Sequence, residues 1–298
     1  MRFRPGRALI LLAAALLLGL AARSEGRAVF VGRFAWTMDE RQFGGWSGLE
    51  VAADGLGFTA VSDRGRITEG VFDRSASGRL TGAITGQIHR LGDTDDGFFR
   101  RDYRDAEGLS IGSDGRVFVA FESVNRVLSY PDRQTAVATR LPIHLDFIGM
   151  ISNTSLEALA IDADGVLYTL PEAVVGGGPF PVYRFDGHRW AVFAHVRDLA
   201  DGFSPVGADI GPDGLFYLLE RRFVDRVGFA SRVRRFTLTE AGLGNETRLL
   251  TTRVGTHDNL EGLAVWRDAG GRIRLTMISD DNFGRWQKTE LVEYLVRD

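Results

Sequence analysis

The 298-residue chain has no cysteine, which excludes disulfides, thiolate metal sites and a lipidated N-terminal cysteine. Lysine is nearly missing as well, Lys288 being the single one among 36 basic residues. Its cationic chemistry is therefore arginine chemistry, and a guanidinium grips phosphate or carboxylate as a fork. A bias of this kind also follows from a GC-rich genome. No Gly-x-Ser-x-Gly elbow occurs, which removes an ordinary serine esterase. Gly176-Gly177-Gly178 is followed by neither a helical pattern nor a lysine and makes a poor phosphate cradle. A formal net charge of −3 lacks the basic field of a nucleic-acid binder. Nowhere does an apolar period of 3.6 run long enough to demand a helix.

There is one unbroken apolar run, Ala8 to Leu18, preceded by Arg2, Arg4 and Arg7 and followed by Gly19 to Ala22. A charged start, a short apolar stretch and small residues at the exit form the pattern of a secretory signal peptide. The run is short for a spanning helix, which needs roughly 20 residues. Residues 1–22 are expected to be removed near Ala21 or Ala22, leaving a periplasmic or secreted protein with no stable membrane insertion. Those residues hold three Arg and no acid, so their loss takes the formal charge from −3 to −6.

The remaining chain repeats. Trp46-Ser-Gly-Leu-Glu-Val runs to Asp54-Gly55, Glu107-Gly-Leu-Ser-Ile to Asp114-Gly115, and Glu157-Ala-Leu-Ala-Ile to Asp164-Gly165. Val206-Gly-Ala-Asp-Ile runs to Asp213-Gly214, and Glu261-Gly-Leu-Ala-Val to Asp268-Ala-Gly-Gly271. The turn Asp recurs at steps of 60, 50, 49 and 55 residues, a period that suits one four-stranded sheet per repeat. Asp-Gly signals a hairpin, and the runs after it, such as Val117–Phe121 and Leu215–Leu219, are rich in β-branched and aromatic residues. The fold expected is an all-β propeller of about five blades of four antiparallel strands, filling residues 23–298 as a single domain. A sixth blade is allowed if Arg66–Arg104 hides a degenerate unit. The last repeat has three clear strands, so the orphan Ala28–Trp36 is expected to pair with Leu291–Val296 and close the ring.

Chain direction then places the acids. The second strand of each repeat runs back to the rim where the first began. The strand-end acids Asp63, Glu122, Glu172, Glu220 and Asp280 therefore share a rim with the strand-start acids Glu107, Glu157 and Glu261. Ser47 and Val206 interrupt the second series. Crowded carboxylates either shift their pKa values upward or hold a cation, and all-oxygen sites suit Ca²⁺, with Mg²⁺ as the alternative. His257, Asp258, Asn259, Asn153, Asp209, Asp281 and Asn282 lie in the same loops and are candidates to complete coordination. A structural role competes: a glutamate at a blade's inner edge can rivet the ring by accepting backbone N–H bonds from its neighbour.

The stretch from Glu107 to Glu122, with its matches at Glu157–Glu172 and Glu261–Asp280, resembles the repeat of the bacterial phytase-like propellers. So does Gly45-Trp46-Ser47-Gly48-Leu49 with Ser62-Asp63-Arg64-Gly65. The resemblance covers about Ala28 to Asp298 and implies a calcium-assisted phosphoesterase. On that expectation Asp63, Glu107, Glu157, Glu172, Glu261 and Asp280 hold the metal, and Glu122 or Glu220 is the general base. Arg64, Arg126, Arg221 and Arg222 clamp a small anionic or ester substrate, and the protein acts as a monomeric hydrolase of phosphoesters, esters or lactones. The alternative is a non-catalytic binding or structural propeller of the periplasm, because the fold hosts many functions.

Overall fold

A computed structural model describes residues 27–297, apart from 95, 96, 98, 101, 102 and 134–136. The expected signal peptide lies outside the described residues. Among these residues, twenty-one strands form five sheets. The first blade holds β2 (Trp46–Val51), β3 (Gly57–Ser62), β4 (Arg66–Arg74) and β5 (Leu80–Thr85), with the two-residue β6 (His89–Arg90) also paired to β4. The second holds β7 (Ala106–Ile111), β8 (Val117–Phe121), β9 (Arg126–Tyr130) and β10 (Thr139–Arg140). The third holds β11 (Leu156–Ile161), β12 (Leu167–Pro171), β13 (Phe180–Phe185) and β14 (Trp190–Val196). The fourth holds β15 (Ser204–Ile210), β16 (Leu215–Val224), β17 (Gly228–Thr239) and β18 (Gly242–Thr251).

The fifth blade is made of β19 (Asn259–Arg267), β20 (Ile273–Asp280) and β21 (Glu290–Val296), completed by the N-terminal β1 (Ala28–Ala35). β1 runs antiparallel to β21, pairing Ala28 with Val296 and Ala35 with Glu290, as the orphan strand required. The segment Arg66–Arg104 finishes the first blade, and its described residues contain no sixth sheet. Among the described residues a single five-residue helix, α1 (Leu145–Gly149), links the second and third blades and is N-capped by His144.

The inner strands β2, β7, β11, β15 and β19 contact one another in cyclic order around the axis. Apolar side chains collect in five clusters, each between two neighbouring blades among the described residues. Trp46, Leu49 and Phe58 meet Ala264, Ile278 and Leu291 between the first and fifth, and Ala120 and Val127 meet Leu156 and Leu167 between the second and third. Both faces of the two inner strands of each blade are thus buried over most of their length. That is why the strands read as continuous apolar runs rather than alternating ones.

Candidate metal and acid–base site at the channel mouth

Strand pairing defines the mouth. Trp46 pairs with Ser62, Ala106 with Phe121, Leu156 with Pro171, Pro205 with Glu220 and Leu260 with Ser279. The next residue of each second strand projects at the rim, and these are Asp63, Glu122, Glu172, Arg221 and Asp280. In every blade the register slips just inside that pair, where the inner strand carries an extra residue: Ser47, Glu107, Glu157, Val206 or Glu261. Such a bulge bends the strand and re-aims the side chain. Two residues before the bulge stand Gly45, Asp105, Ser155, Ser204 and Asn259.

One sequence-based assignment is corrected at once. In the fourth blade the rim position belongs to Arg221, and Glu220 is one residue too early. A one-residue step turns a side chain to the opposite face of the sheet. Glu220 is fully buried there, bound by Arg232 (Nε–Oε2 2.6 Å, Nη2–Oε1 2.8 Å) and Arg234 (Nε–Oε2 2.8 Å). A carboxylate saturated by two guanidiniums is unavailable as a general base. Arg126 is likewise fully buried, donating to the Val124 carbonyl at 2.7 Å and to that of Tyr103, so it meets no substrate. Arg222 lies over the Phe203 ring and donates to the Asp201 carbonyl at 3.3 Å.

Arg221 divides the mouth in two. It donates to Glu172 at 2.6 Å, to Asn259 at 2.7 Å and to Glu261, and Glu157 also lies within its field. Surrounded by these acids, its guanidinium is held even more firmly in the charged form. The other half of the mouth contains Asp63, Asp105, Glu107, Glu122 and Asp280, and among the described residues none of them forms a salt bridge. Burial, reinforced by neighbouring acids, raises Asp63, Glu107, Glu122 and Asp280. Asp63 rises to about 7 with Asp105 as its main charged neighbour, Glu122 to about 8, and Asp280 to about 9 beside Glu261 and Asp63. Glu107 is pushed well above the carboxylate range by burial and by Glu157, Glu261 and Glu122. Glu157 and Glu261 are raised as well, burial again leading.

One ligand oxygen each from Asp105, Glu107 and Glu122 lies within 4.8 Å of the other two. Oδ1 of Asp63 and Oε2 of Glu157 are buried without any hydrogen-bond partner. Unpaired buried carboxylate oxygens are costly, and an all-oxygen, multiply anionic donor set fits a hard cation such as Ca²⁺. The residues present therefore suit the metal that the family resemblance implies. The sequence reading missed Asp105 because it sits before the strand; its place two residues ahead of Glu107 was the signal available.

The loop candidates separate. Asn259 belongs to the mouth, with Nδ2 donating to Glu261 at 2.7 Å. His257 does not: it is buried against Phe30, pairs through Nε2 with the Tyr294 hydroxyl at 2.7 Å, and burial lowers its pKa to about 4. Asp209 lies further along β15, accepting the Val265 N–H of the next blade at 2.6 Å. Glu50 at the matching position of β2 is tied to Ile111, and Ser110 donates to the Leu159 carbonyl at 3.1 Å. Riveting between blades thus exists, but three residues beyond the bulge. At the rim Glu122 joins in, accepting from the Ser155 backbone. Asp258 and Asp281 are spent on loop bonds to Lys288, Gly45 and Phe283, Asn282 stands at φ 46 in the latter's turn, and Asn153 is exposed.

Residues 41–283 match the family model Phytase-like, described as esterase-like activity of phytase. No curated protein matches the chain. Among solved structures the chain is similar to the α-L-arabinofuranosidase PaAbf62A of Podospora anserina in complex with cellotriose. Identity is 10%, coverage 87% of this chain and 93% of that one, and the TM-score 0.52. It is also similar to the GH62 α-L-arabinofuranosidase catalytic domain of Coprinopsis cinerea, at 12% identity, 92% and 99% coverage and a TM-score of 0.51. At such identities these likenesses speak for the fold alone. With more than half of its length matched and five blades closed by its own N-terminal strand, the chain belongs to the Phytase-like family of β-propellers.

Proposed function

We propose that the protein is an exported hydrolase of phosphoesters or small esters whose channel mouth holds a divalent cation, Ca²⁺ in the first instance. The observation that carries this reading is the asymmetry of the mouth. Arg221 neutralises the side of Glu157, Glu172 and Glu261, while Asp105, Glu107 and Glu122 converge with no cationic side chain among the described residues bonded to them. Those three acids would hold the ion. A bound Ca²⁺ supplies a Lewis acid that polarises a substrate oxygen and acidifies water.

The remaining chemistry falls to the chain. Asp63 stands beside Asp105 with one oxygen unpaired and a pKa near 7, where a general base works best. It takes the proton of the attacking water. This moves the base role from Glu122, which the sequence had suggested, to Asp63, since Glu122 is committed to Ser155 and to the acid cluster. Arg221 holds Glu172 and Glu261 in place on the opposite side.

The test is hydrolysis of an aryl phosphate, an aryl ester and a lactone, each with millimolar Ca²⁺ and with chelator. Turnover should vanish in chelator and return with Ca²⁺. Asp63→Asn should lower kcat by about 10²-fold or more with little change in KM, and Glu107→Gln should abolish the response to Ca²⁺. If none of the three is turned over with Ca²⁺ present, the hydrolase reading fails and a binding propeller takes its place.

A further inference from the structure

Next to the acidic mouth lies a cleft of opposite character. Arg64, Arg66, Arg90 and Arg104 line a cavity of about 80 Å³ between the first and second blades, floored by Leu91 and Phe99. That is several times the space one water requires. Among the described residues no carboxylate lines it, and Arg64, Arg66 and Arg104 take part in no salt bridge. Arg66 and Arg90 stand directly opposite each other on β4 and β6. Like charges in that arrangement repel, so the pairing is unfavourable by itself. Arg66 donates to Gln42, a neutral partner, and its Nε is buried with no acceptor. Burial and the three neighbouring arginines also lower its pKa. Arg64 is steadied over the Phe283 ring, 3.1 Å from the centroid, and Arg104 is packed against Gly65.

The cleft is tied to the mouth by the chain itself, because Arg64 follows Asp63 and Arg104 precedes Asp105. Four guanidiniums around one small cavity match a multiply charged tetrahedral oxyanion, which offers several acceptor oxygens to forked donors. We propose that this cleft binds the phosphate group of a phosphoester and sets it beside Asp63 and Asp105. That the phosphate belongs to a substrate rests on the hydrolase reading; that the cleft binds phosphate does not. The site also answers how an anion approaches a rim of carboxylates, since the arginines neutralise its charge at the edge.

Calorimetric titration of the full chain with inorganic phosphate, in chelator, isolates the cleft from any cation in the mouth. One phosphate per chain should bind, more weakly as sodium chloride is raised. Arg66→Gln and Arg104→Gln should each weaken binding about tenfold, the loss of one charge-assisted contact, and acetate should bind far less well. Arg64→Gln, at an exposed position, gives the same readout should Arg66→Gln fail to fold. No phosphate binding, binding unchanged in these variants, or acetate held as tightly would each overturn the assignment. Phosphate binding without phosphoester turnover would leave the cleft standing and remove the hydrolase. Turnover with KM unchanged in the cleft variants would do the reverse.

Discussion

A carboxyl group in the channel mouth ionises against its neighbours, and this has a measurable sign. Asp63, Glu122 and Asp280 have folded-state pKa values of about 7, 8 and 9, above the ordinary carboxylate values they regain on unfolding. The native state therefore holds more protons than the unfolded chain between about pH 4 and pH 9. Their contribution to stability is complete below the unfolded pKa and is lost as pH rises through the folded one. In chelator the melting temperature should fall steadily from about pH 5 to pH 9. Millimolar Ca²⁺ should remove most of that fall, because a cation that binds only the native, deprotonated mouth raises its stability. Melting curves across pH, with and without Ca²⁺, check this. A chelated protein equally stable at both ends would mean that the acids are not buried together.

At the scale of the strand, the bulge decides both where the acids point and how closely the blades approach. After the bulged residue comes Gly48, Gly108, Gly207 or Gly262, each set against the next blade's backbone, and Ala158 in the third blade. A Cβ placed on Gly207 would lie 2.2 Å from the Glu261 carbonyl oxygen, and one on Gly108 would lie 2.6 Å from that of Glu157. In those four blades the Gly is thus required by packing, whereas the third blade accommodates Ala158, and the residue before it is left to the mouth. Gly207→Ala must push the fourth and fifth blades apart and should cost about 1–3 kcal/mol, the usual range for overpacking. Denaturant unfolding measures it. Because the backbone shift carries Glu261 with it, the Arg221–Glu261 contact should loosen as well.

Over the whole molecule, five inter-blade clusters replace a single core, so each blade depends on both neighbours. The last of these interfaces is completed by β1 on β21, with Ala28 packed among Leu275, Val292 and Val296. Deleting Ala28–Ala35 leaves β21 as an open edge and uncovers apolar surface on the fifth blade. The variant should aggregate or unfold in size-exclusion chromatography and melt well below the intact chain. A deletion that stays monomeric with an unchanged melting temperature would show that closure contributes little.

The period of about 50 residues, the Asp-Gly turns and the orphan first strand together specified five blades and their closure. They are local signals, and hydrogen bonding leaves a four-stranded unit few other ways to satisfy its edges. The identity of most mouth acids was also legible, because chain direction alone returns the second strand to the rim. The exact residue at that rim was not. Whether Glu220 or Arg221 faces the channel depends on one step of register, and a step of one residue exchanges the two faces of a strand. The bulges that set this register carry no composition of their own. Nor could sequence show that Arg90 and Arg104 join Arg64 and Arg66, since Arg90 is brought in by the pairing of β6 with β4 and Arg104 by the packing of the second blade on the first. Local pattern determined the repeat, and packing across blades decided which charges meet.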